Sequence, residues 1–233
     1  MAAPRVAARE AGTIRAMAVR VKICGITSME DAMAAAAAGV DALGFVFYRQ
    51  SPRYVTPETA AAIVRQLPPF ITTVGLFVNE SGGQVESVRR RVGLDCLQFH
   101  GNESQNYLSQ FPCRVIKAVR MDAPAAVRKI QEYQVNAILL DGFREGVEGG
   151  SGATFDWSWL AAVPHEVRII LAGGLTPENV AEAVRICDPY GVDCSSGVER
   201  VPGVKDPRRV RAFVAAAKGE AARARRRFEV GRG

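Results

Sequence analysis

A thiol near the N-terminal end of the chain is the first group that could do chemistry. Cys24 ends the apolar run VKIC, and Gly25 follows it before Ser28, which can cap a helix. A strand would then deliver the thiol to a strand-to-helix loop, where a nearby positive charge or a helix start could enlarge its ionised fraction. The alternative is a buried cysteine that packs as a small apolar side chain.

Three further polar residues follow apolar segments and could contact a ligand. Asp141 comes directly after the run ILL and could exchange protons with a substrate, or simply cap a loop. His100 follows the run LQF and could contact a ligand or donate to a neighbouring loop. Arg53 lies in the segment SPRY, and its planar guanidinium could bind a carboxylate, although a surface arginine beside a turn proline is the alternative.

Two glycine- and serine-containing segments could bind a phosphate group. Gly173 and Gly174 follow one apolar run, and Ser195, Ser196 and Gly197 follow another. Glycines allow the backbone to approach an anion closely, and serine hydroxyls add hydrogen-bond donors. Tight-turn chemistry is the alternative, because Gly-Gly and Ser-Gly pairs serve turns in many proteins.

A third glycine-rich segment contains Gly150 and Gly152 and lies in a long connection after Asp141. Connections between a strand and the next helix usually have about 2–6 residues. The segment is therefore either a floppy loop or a lid that a ligand orders, and the two glycines are candidate ligand contacts.

The order of the predicted elements indicates one (β/α)8 barrel. Short β-branched runs alternate with helical stretches, and several helix starts carry a capping hydroxyl before proline, as at Thr56 and Thr176. The predicted strands are Val19–Cys24, Ala42–Phe47, Thr72–Phe77, Cys96–Phe99, Arg114–Val119, Ala137–Asp141, Arg168–Ala172 and Gly191–Cys194. The predicted helices are Met29–Ala38, Pro57–Gln66, Gln84–Val92, Glu103–Phe111, Pro124–Tyr133, Trp157–Ala162, Pro177–Ile186 and Pro207–Ala217.

A doubly wound sheet is the competing architecture, but the first turn lacks the G-x-G-x-x-G phosphate loop of that class. In a barrel the carboxyl ends of all strands meet at one face. We therefore expect Cys24, Asp141 and the two anion-binding segments to converge there, although they lie far apart in the sequence.

Composition excludes several functional classes. The 233 residues are 48% apolar, with no run that approaches the ~20 apolar residues needed to span a bilayer. Five scattered cysteines without a CxxC pair or a Cys/His cluster argue against a disulfide framework and against a metal site. We expect a single domain in a reducing compartment, the cytoplasm, with no membrane partner.

The net charge of +6 belongs to the two ends of the chain. Residues 1–18 carry +2 and residues 216–233 carry +4, so the body between them is neutral. We expect 1–18 to be a disordered extension, 19–217 to form the barrel and 218–233 to be a disordered tail. A nucleic-acid arm and, for the first segment, an organelle transit peptide are the alternatives; we predict no nucleic-acid partner.

Nine segments, taken together, resemble one enzyme family, phosphoribosylanthranilate isomerase. They are VKICGIT, GFVFYRQSPRYV, VGLFVNE, LQFHGNE, IKAVR, LLDG, GGSGATFDW, LAGGLTPENV and GVDCSSGVERVPGVKD, and they span about Val19 to Val214. The resemblance implies a (β/α)8 barrel that rearranges N-(5′-phosphoribosyl)anthranilate without a cofactor in tryptophan biosynthesis. It also implies a small phosphorylated substrate and a chain that is a monomer or a homodimer.

The resemblance also implies roles for particular residues. The VKICGIT cysteine, Cys24, would be the general base, and the LLDG aspartate, Asp141, the general acid. Arg53 would hold the anthranilate carboxylate. The phosphate would bind at Gly173, Gly174, Ser195, Ser196 and Gly197, and His100, Gly150 and Gly152 complete the predicted substrate contacts.

Two other functions compete with this reading. A sugar-phosphate isomerase of histidine biosynthesis resembles two half-barrel repeats with a carboxylate at the end of the first strand, where this chain has Cys24 and no clear half-repeat. A barrel that only binds a phosphorylated ligand should have lost Cys24 or Asp141, and both are present.

Overall fold

Eight parallel strands close into a barrel in the computed structural model, which describes residues 19–142, 156–164 and 166–230. Each strand pairs with its neighbour in sequence order, and the first pairs with the last, so the predicted (β/α)8 barrel is confirmed. The strands are β1 Arg20–Cys24, β2 Ala42–Val46, β3 Thr72–Phe77, β4 Cys96–Phe99, β5 Arg114–Met121, β6 Ala137–Gly142, β7 Ile169–Leu171 and β8 Gly191–Cys194.

Helices surround the barrel and connect its strands. The α-helices are α1 Met29–Ala37, α2 Pro57–Val64, α3 Gly82–Val92, α4 Gln105–Leu108, α5 Val180–Cys187 and α6 Pro207–Val230. Three 3₁₀ helices span Pro124–Glu132, Trp157–Ala162 and Ser196–Val198, and a short hairpin of β9 Glu199–Val201 and β10 Val204–Lys205 follows the last of them. In the described part of the chain, none of the helices has the length and apolar character required to cross a membrane.

The helix starts show where local sequence chemistry decides the structure. The Ser28 hydroxyl accepts from the Asp31 amide at 3.1 Å, and the Thr56 hydroxyl accepts from the Thr59 amide at 3.2 Å, so both predicted caps are confirmed. The start predicted at Pro177 was wrong. The Asn179 side chain accepts from the Thr176 amide at 2.8 Å and closes a turn first, so the helix begins only at Val180.

Two predicted helices differ in type and one differs in length, because helix propensity alone sets neither. The stretches after β5 and before β7 wind as 3₁₀ helices rather than α-helices. Helix α6 continues 13 residues beyond its predicted end at Ala217, because the following sequence is rich in Ala and Arg and contains no proline. The division of the chain into a barrel and two disordered tails stays a prediction, although residues 218–230 are helical here.

The apolar core has two parts, one on each side of the barrel wall. The outer part lies between the sheet and the helices and includes fully buried Leu43, Phe45 and Phe213. The inner part is small and comes from strands β3 to β7 with their ends: Val74, Cys96, Ile116, Ala118, Ala137, Leu139, Ile170 and Ala172. Strands β1 and β8 instead contribute a buried charge each, Lys22 and Asp193.

Two isoleucines at equivalent positions of different helices allow a matched test of packing in the outer core. Ile63 of α2 is 2% exposed and Ile186 of α5 is 48% exposed, and each is the seventh residue of an eight-residue helix. Ile63→Ala should lower the free energy of unfolding by about 2–5 kcal/mol, because it leaves a cavity in the core. Ile186→Ala should lower it by about 1 kcal/mol or less in the same urea titration. Equal losses would show that α2 does not pack as described.

Candidate active site

A cavity of about 560 Å³ opens at the carboxyl ends of the strands. Its volume is within the usual range of about 300–1,000 Å³ for small-molecule sites. It brings together nine residues predicted from the sequence: Cys24, Arg53, His100, Asp141, Gly173, Gly174, Ser195, Ser196 and Gly197. Gly150 and Gly152, the other two predicted contacts, lie outside the described residues.

Cys24 reaches the cavity because two glycines make room around it. Gly25 has φ +78°, and a Cβ there would stand 2.7 Å from Arg53 Cδ, so only glycine lets the arginine cross the end of β1. Gly44 lies opposite Cys24 on β2, where a Cβ would stand 2.7 Å from the Cys24 sulfur. Both glycines therefore leave the room that the thiol and its neighbours need.

An ion pair that was not predicted from the sequence lies below the thiol, inside the barrel. Lys22 Nζ donates to Asp193 Oδ2 at 2.7 Å, and the two residues are partners in the register of β1 and β8. Both residues are buried, with Lys22 5% and Asp193 7% exposed. Lys22 is two residues before Cys24 on the same strand, so both side chains are on the inner face.

Burial and these charges set the ionisation of the thiol. Burial raises the pKa of Cys24, and the Asp193 carboxylate raises it further, whereas Lys22 and Lys205 lower it. Burial also opposes a charge on Lys22, but Asp193 and Cys24 outweigh it, and the pKa of Lys22 is raised. The positive charges thus lower the pKa of the thiol, as expected, but burial has the larger effect and the pKa stays raised.

Asp141 and His100 meet on the other side of the cavity. His100 Nε2 and Asp141 Oδ2 are 3.0 Å apart, and the side chains are 16% and 11% exposed. The loop after β7 lies directly against the carboxyl group: a Cβ on Gly173, which has φ +75°, would stand 2.1 Å from the Gly142 nitrogen and 2.8 Å from Asp141 Oδ1. This contact explains why glycine follows β7.

A buried lysine holds the loop that carries His100. Lys117 Nζ donates to the Gly101 carbonyl at 2.6 Å and to Glu103 Oε2 at 3.0 Å, and Glu103 also accepts from the amides of Asn79 and Gly101. Burial lowers the pKa of Lys117, which Glu103 partly opposes. Lys117 Nζ also donates to the Phe99 carbonyl at 3.4 Å, so charge-assisted hydrogen bonds hold the loop after β4 on both sides of His100.

Arg53 forms a paired fork with a carboxylate that the sequence analysis did not predict. Its Nε and Nη2 donate to Glu199 Oε1 and Oε2 at 2.9 and 2.7 Å. Lys205 Nζ donates to the same Glu199 at 2.8 Å. Burial opposes the charge on Glu199, but the two cations hold the pKa of that carboxyl below its usual range. Three charged side chains thus form a cluster with one positive charge in excess.

The two candidate anion-binding loops pack against each other at the same end of the barrel. A Cβ on Gly197 would stand 2.0 Å from the Leu175 carbonyl, so this glycine is required for their close approach. Lys205 Nζ donates to the Ser195 carbonyl at 3.3 Å, which brings the positive end of the Arg53 cluster under the second loop. The short 3₁₀ helix begins at Ser196, within the second of these loops.

Six charged residues at the site were not predicted from the sequence: Lys22, Asp193, Glu103, Lys117, Glu199 and Lys205. The first two could have been predicted from their positions. Each is a charged residue in a short apolar strand, two residues before a candidate site residue. A charge at an inward position of a barrel strand needs a partner. Glu199 and Lys205 lie in a hairpin that local pattern did not predict.

Comparison with known proteins assigns the family. The family profile described as N-(5′-phosphoribosyl)anthranilate (PRA) isomerase matches residues 21–216. The N-(5′-phosphoribosyl)anthranilate isomerase of Geobacter sulfurreducens is 53% identical over 201 residues, which are 86% of this chain and 99% of that protein.

Solved structures agree with the sequence comparison. The phosphoribosyl anthranilate isomerase of Thermotoga maritima superimposes with a TM-score of 0.81 at 43% identity, covering 86% of this chain and 99% of that one. Another phosphoribosyl anthranilate isomerase, in complex with reduced 1-(o-carboxyphenylamino)-1-deoxyribulose 5-phosphate, gives 0.75 at 40% identity, covering 86% and 99%. On these matches and the barrel that they share, the chain belongs to the N-(5′-phosphoribosyl)anthranilate isomerase family.

Proposed function

We propose that this chain converts N-(5′-phosphoribosyl)anthranilate to 1-(2-carboxyphenylamino)-1-deoxyribulose 5-phosphate by an Amadori rearrangement, as a step of tryptophan biosynthesis and without a cofactor. The observation that carries the proposal is a single cavity lined by a thiol, a carboxyl group, an arginine and two glycine-containing loops. The substrate offers a matching set of groups: a carbon acid, a ring oxygen, a carboxylate and a phosphate. The binding of a reduced phosphorylated compound by a relative supports the same choice of substrate.

In the proposed mechanism Asp141 and Cys24 divide two proton transfers. Asp141 gives a proton to the furanose oxygen, which opens the ring and leaves a protonated imine at C1′. Cys24, as the thiolate, then removes the proton from C2′, and the electron pair of that C–H bond neutralises the imine to give the enol-form product. His100 orients the Asp141 carboxyl through their 3.0 Å contact, whose proton lies on one partner or the other.

Binding of the substrate uses the positive side of the cavity. Arg53 holds the anthranilate carboxylate, with Glu199 fixing the plane of its guanidinium. The loops of Gly173 and Gly174 and of Ser195, Ser196 and Gly197 hold the phosphate. Lys205, 1% exposed, supplies a positive charge under Ser195.

Location and assembly are the remaining proposals. Five free cysteines favour a reducing compartment, and we assign the chain to the cytoplasm. A solved structure describes monomers of the dimeric phosphoribosylanthranilate isomerase of Thermotoga maritima, and it is 39% identical to this chain with a TM-score of 0.77, covering 86% and 99% of the two chains. For this chain a monomer or a homodimer stays a prediction.

The function and the two proton-transfer roles are tested together. Purified protein should consume enzymatically generated N-(5′-phosphoribosyl)anthranilate, followed by loss of its fluorescence. Cys24→Ala and Asp141→Asn should each lower kcat by about 10²–10⁴-fold, because each removes one acid–base group while the fold remains. Cys113→Ala, at a cysteine outside the cavity, is the matched control and should keep full activity. A wild-type protein without activity would refute the function; a variant that keeps a tenth of kcat would refute that residue's role.

The proposed phosphate loops predict a charge effect at Ser195. Ser195→Asp would put a carboxylate beside the phosphate and should raise KM roughly tenfold or more through repulsion between like charges. Ser195→Asn has nearly the same shape without the charge and should raise KM much less. Equal KM values for the two variants, measured at low ionic strength, would move the phosphate site elsewhere.

The proposed carboxylate contact predicts an effect of Arg53 on binding more than on chemistry. Arg53→Ala should lower kcat/KM by about 10–150-fold, the equivalent of one charge-assisted pair of about 1.5–3 kcal/mol, mainly through KM. Arg49→Ala is the matched control, because Arg49 comes from the same loop but stacks on Tyr54 at 5.5 Å. A loss confined to kcat would contradict the proposed role.

A further inference from the structure

We propose that Lys22 is a positioning residue whose ammonium, held by Asp193, is the charge that permits Cys24 to exist as a thiolate inside the barrel. The inference rests on the proposed function, because it names the group that ionises the proposed base.

The geometry of the barrel interior brings the three groups together. Lys22 and Cys24 are inward-facing residues of β1, and Asp193 is the register partner of Lys22 on β8. The Cys24 sulfur and Lys22 Cε lie 2.7 and 3.1 Å from the point where a Cβ of Gly44 would stand, so they are close neighbours. Any larger residue at position 44 would separate them.

The charges that face the thiol come from three strands. Lys22 acts from β1, Asp193 from β8 and Lys205 from β10, whereas β2 offers only Gly44. Of the two cations, Lys22 has the larger effect. Because burial raises the pKa of the thiol, the thiolate forms only as far as a neighbouring cation offsets the loss of water.

The ion pair adds little to the free energy of unfolding, whatever it does for the register of the strands. Buried pairs lose much of their hydration energy, and apolar side chains of similar volume often stabilise a protein equally well. The other Asp193 oxygen, Oδ1, is buried and has no hydrogen-bond partner among the described residues. Asp193 therefore keeps Lys22 charged and in place without being fully satisfied, which is an arrangement that serves the neighbouring thiol better than it serves stability.

The test measures the ionisation of Cys24 directly, without substrate. The full chain is treated with iodoacetamide, whose carbon the thiolate attacks with release of iodide, and the modified Cys24 peptide is quantified by mass spectrometry across a pH series. Lys22→Met should move the midpoint of this profile upward and slow alkylation at neutral pH about tenfold, since the thiolate loses its cation. Asp193→Asn should move the midpoint downward, because the thiolate then becomes the only counter-ion of Lys22.

Opposite signs separate this effect from mere loosening of the barrel, which would speed alkylation in both variants. The double variant Lys22→Met/Asp193→Asn has neither charge and should fall between the two single variants; it also serves if the unpaired Asp193 prevents folding. Cys187, outside the cavity on α5, is the internal reference and should react equally in every variant.

Unchanged midpoints, or shifts of the same sign in both single variants, would overturn the role of Lys22. That result is independent of activity. An inactive wild-type protein with the expected order of midpoints would instead refute the proposed function and leave the electrostatic role of Lys22 in place.

Discussion

The pairing of β1 with β8 is the constraint on which both the fold and the site depend. At this seam the first and last strands meet with Lys22 opposite Asp193, and the buried ion pair fixes their register. If either strand slipped by one residue, its charge would turn toward the outer apolar core, and the other charge would stay inside the barrel without a partner. The same register brings the end of β1, with Cys24, beside the loop that follows β8 and begins at Ser195. The strand pairing that closes the barrel therefore also brings the parts of the site together.

Around this seam the site is compact because backbone atoms of neighbouring loops pack where side chains would otherwise lie. The loops after β7 and β8 touch each other and the end of β6 at distances that leave no space for a Cβ on Gly173 or Gly197. Such contacts bring main-chain groups next to the Asp141 carboxyl and next to each other. They also explain why glycines occur in the loops at the carboxyl ends of β7 and β8.

Much of this could be predicted from the sequence, and the limits have a physical origin. Strand positions and the residues at strand ends follow from local apolar patterns, so Cys24, Asp141, His100 and the two loops were found in their correct setting. The pairing of Arg53 with Glu199 could not be found, because 146 residues separate them and only the closed barrel brings them together. Helix type failed for a related reason: whether a stretch winds as an α- or a 3₁₀ helix depends on packing against the barrel as well as on propensity.

The distribution of charge explains how one small cavity can be suited to both binding and proton transfer. Arg53 and Lys205 share Glu199, so that cluster keeps one positive charge in excess next to the candidate anion-binding loops. Lys22 is instead balanced by Asp193, so the interior below Cys24 is neutral while the thiol is protonated. Loss of the thiol proton adds one negative charge to that interior, and Lys22 and Lys205 offset part of the cost of burying it. The excess positive charge of Arg53 and Lys205 can attract a ligand anion to the loops. The Lys22–Asp193 pair adds no net charge beside the thiol, which suits a group that exchanges a proton.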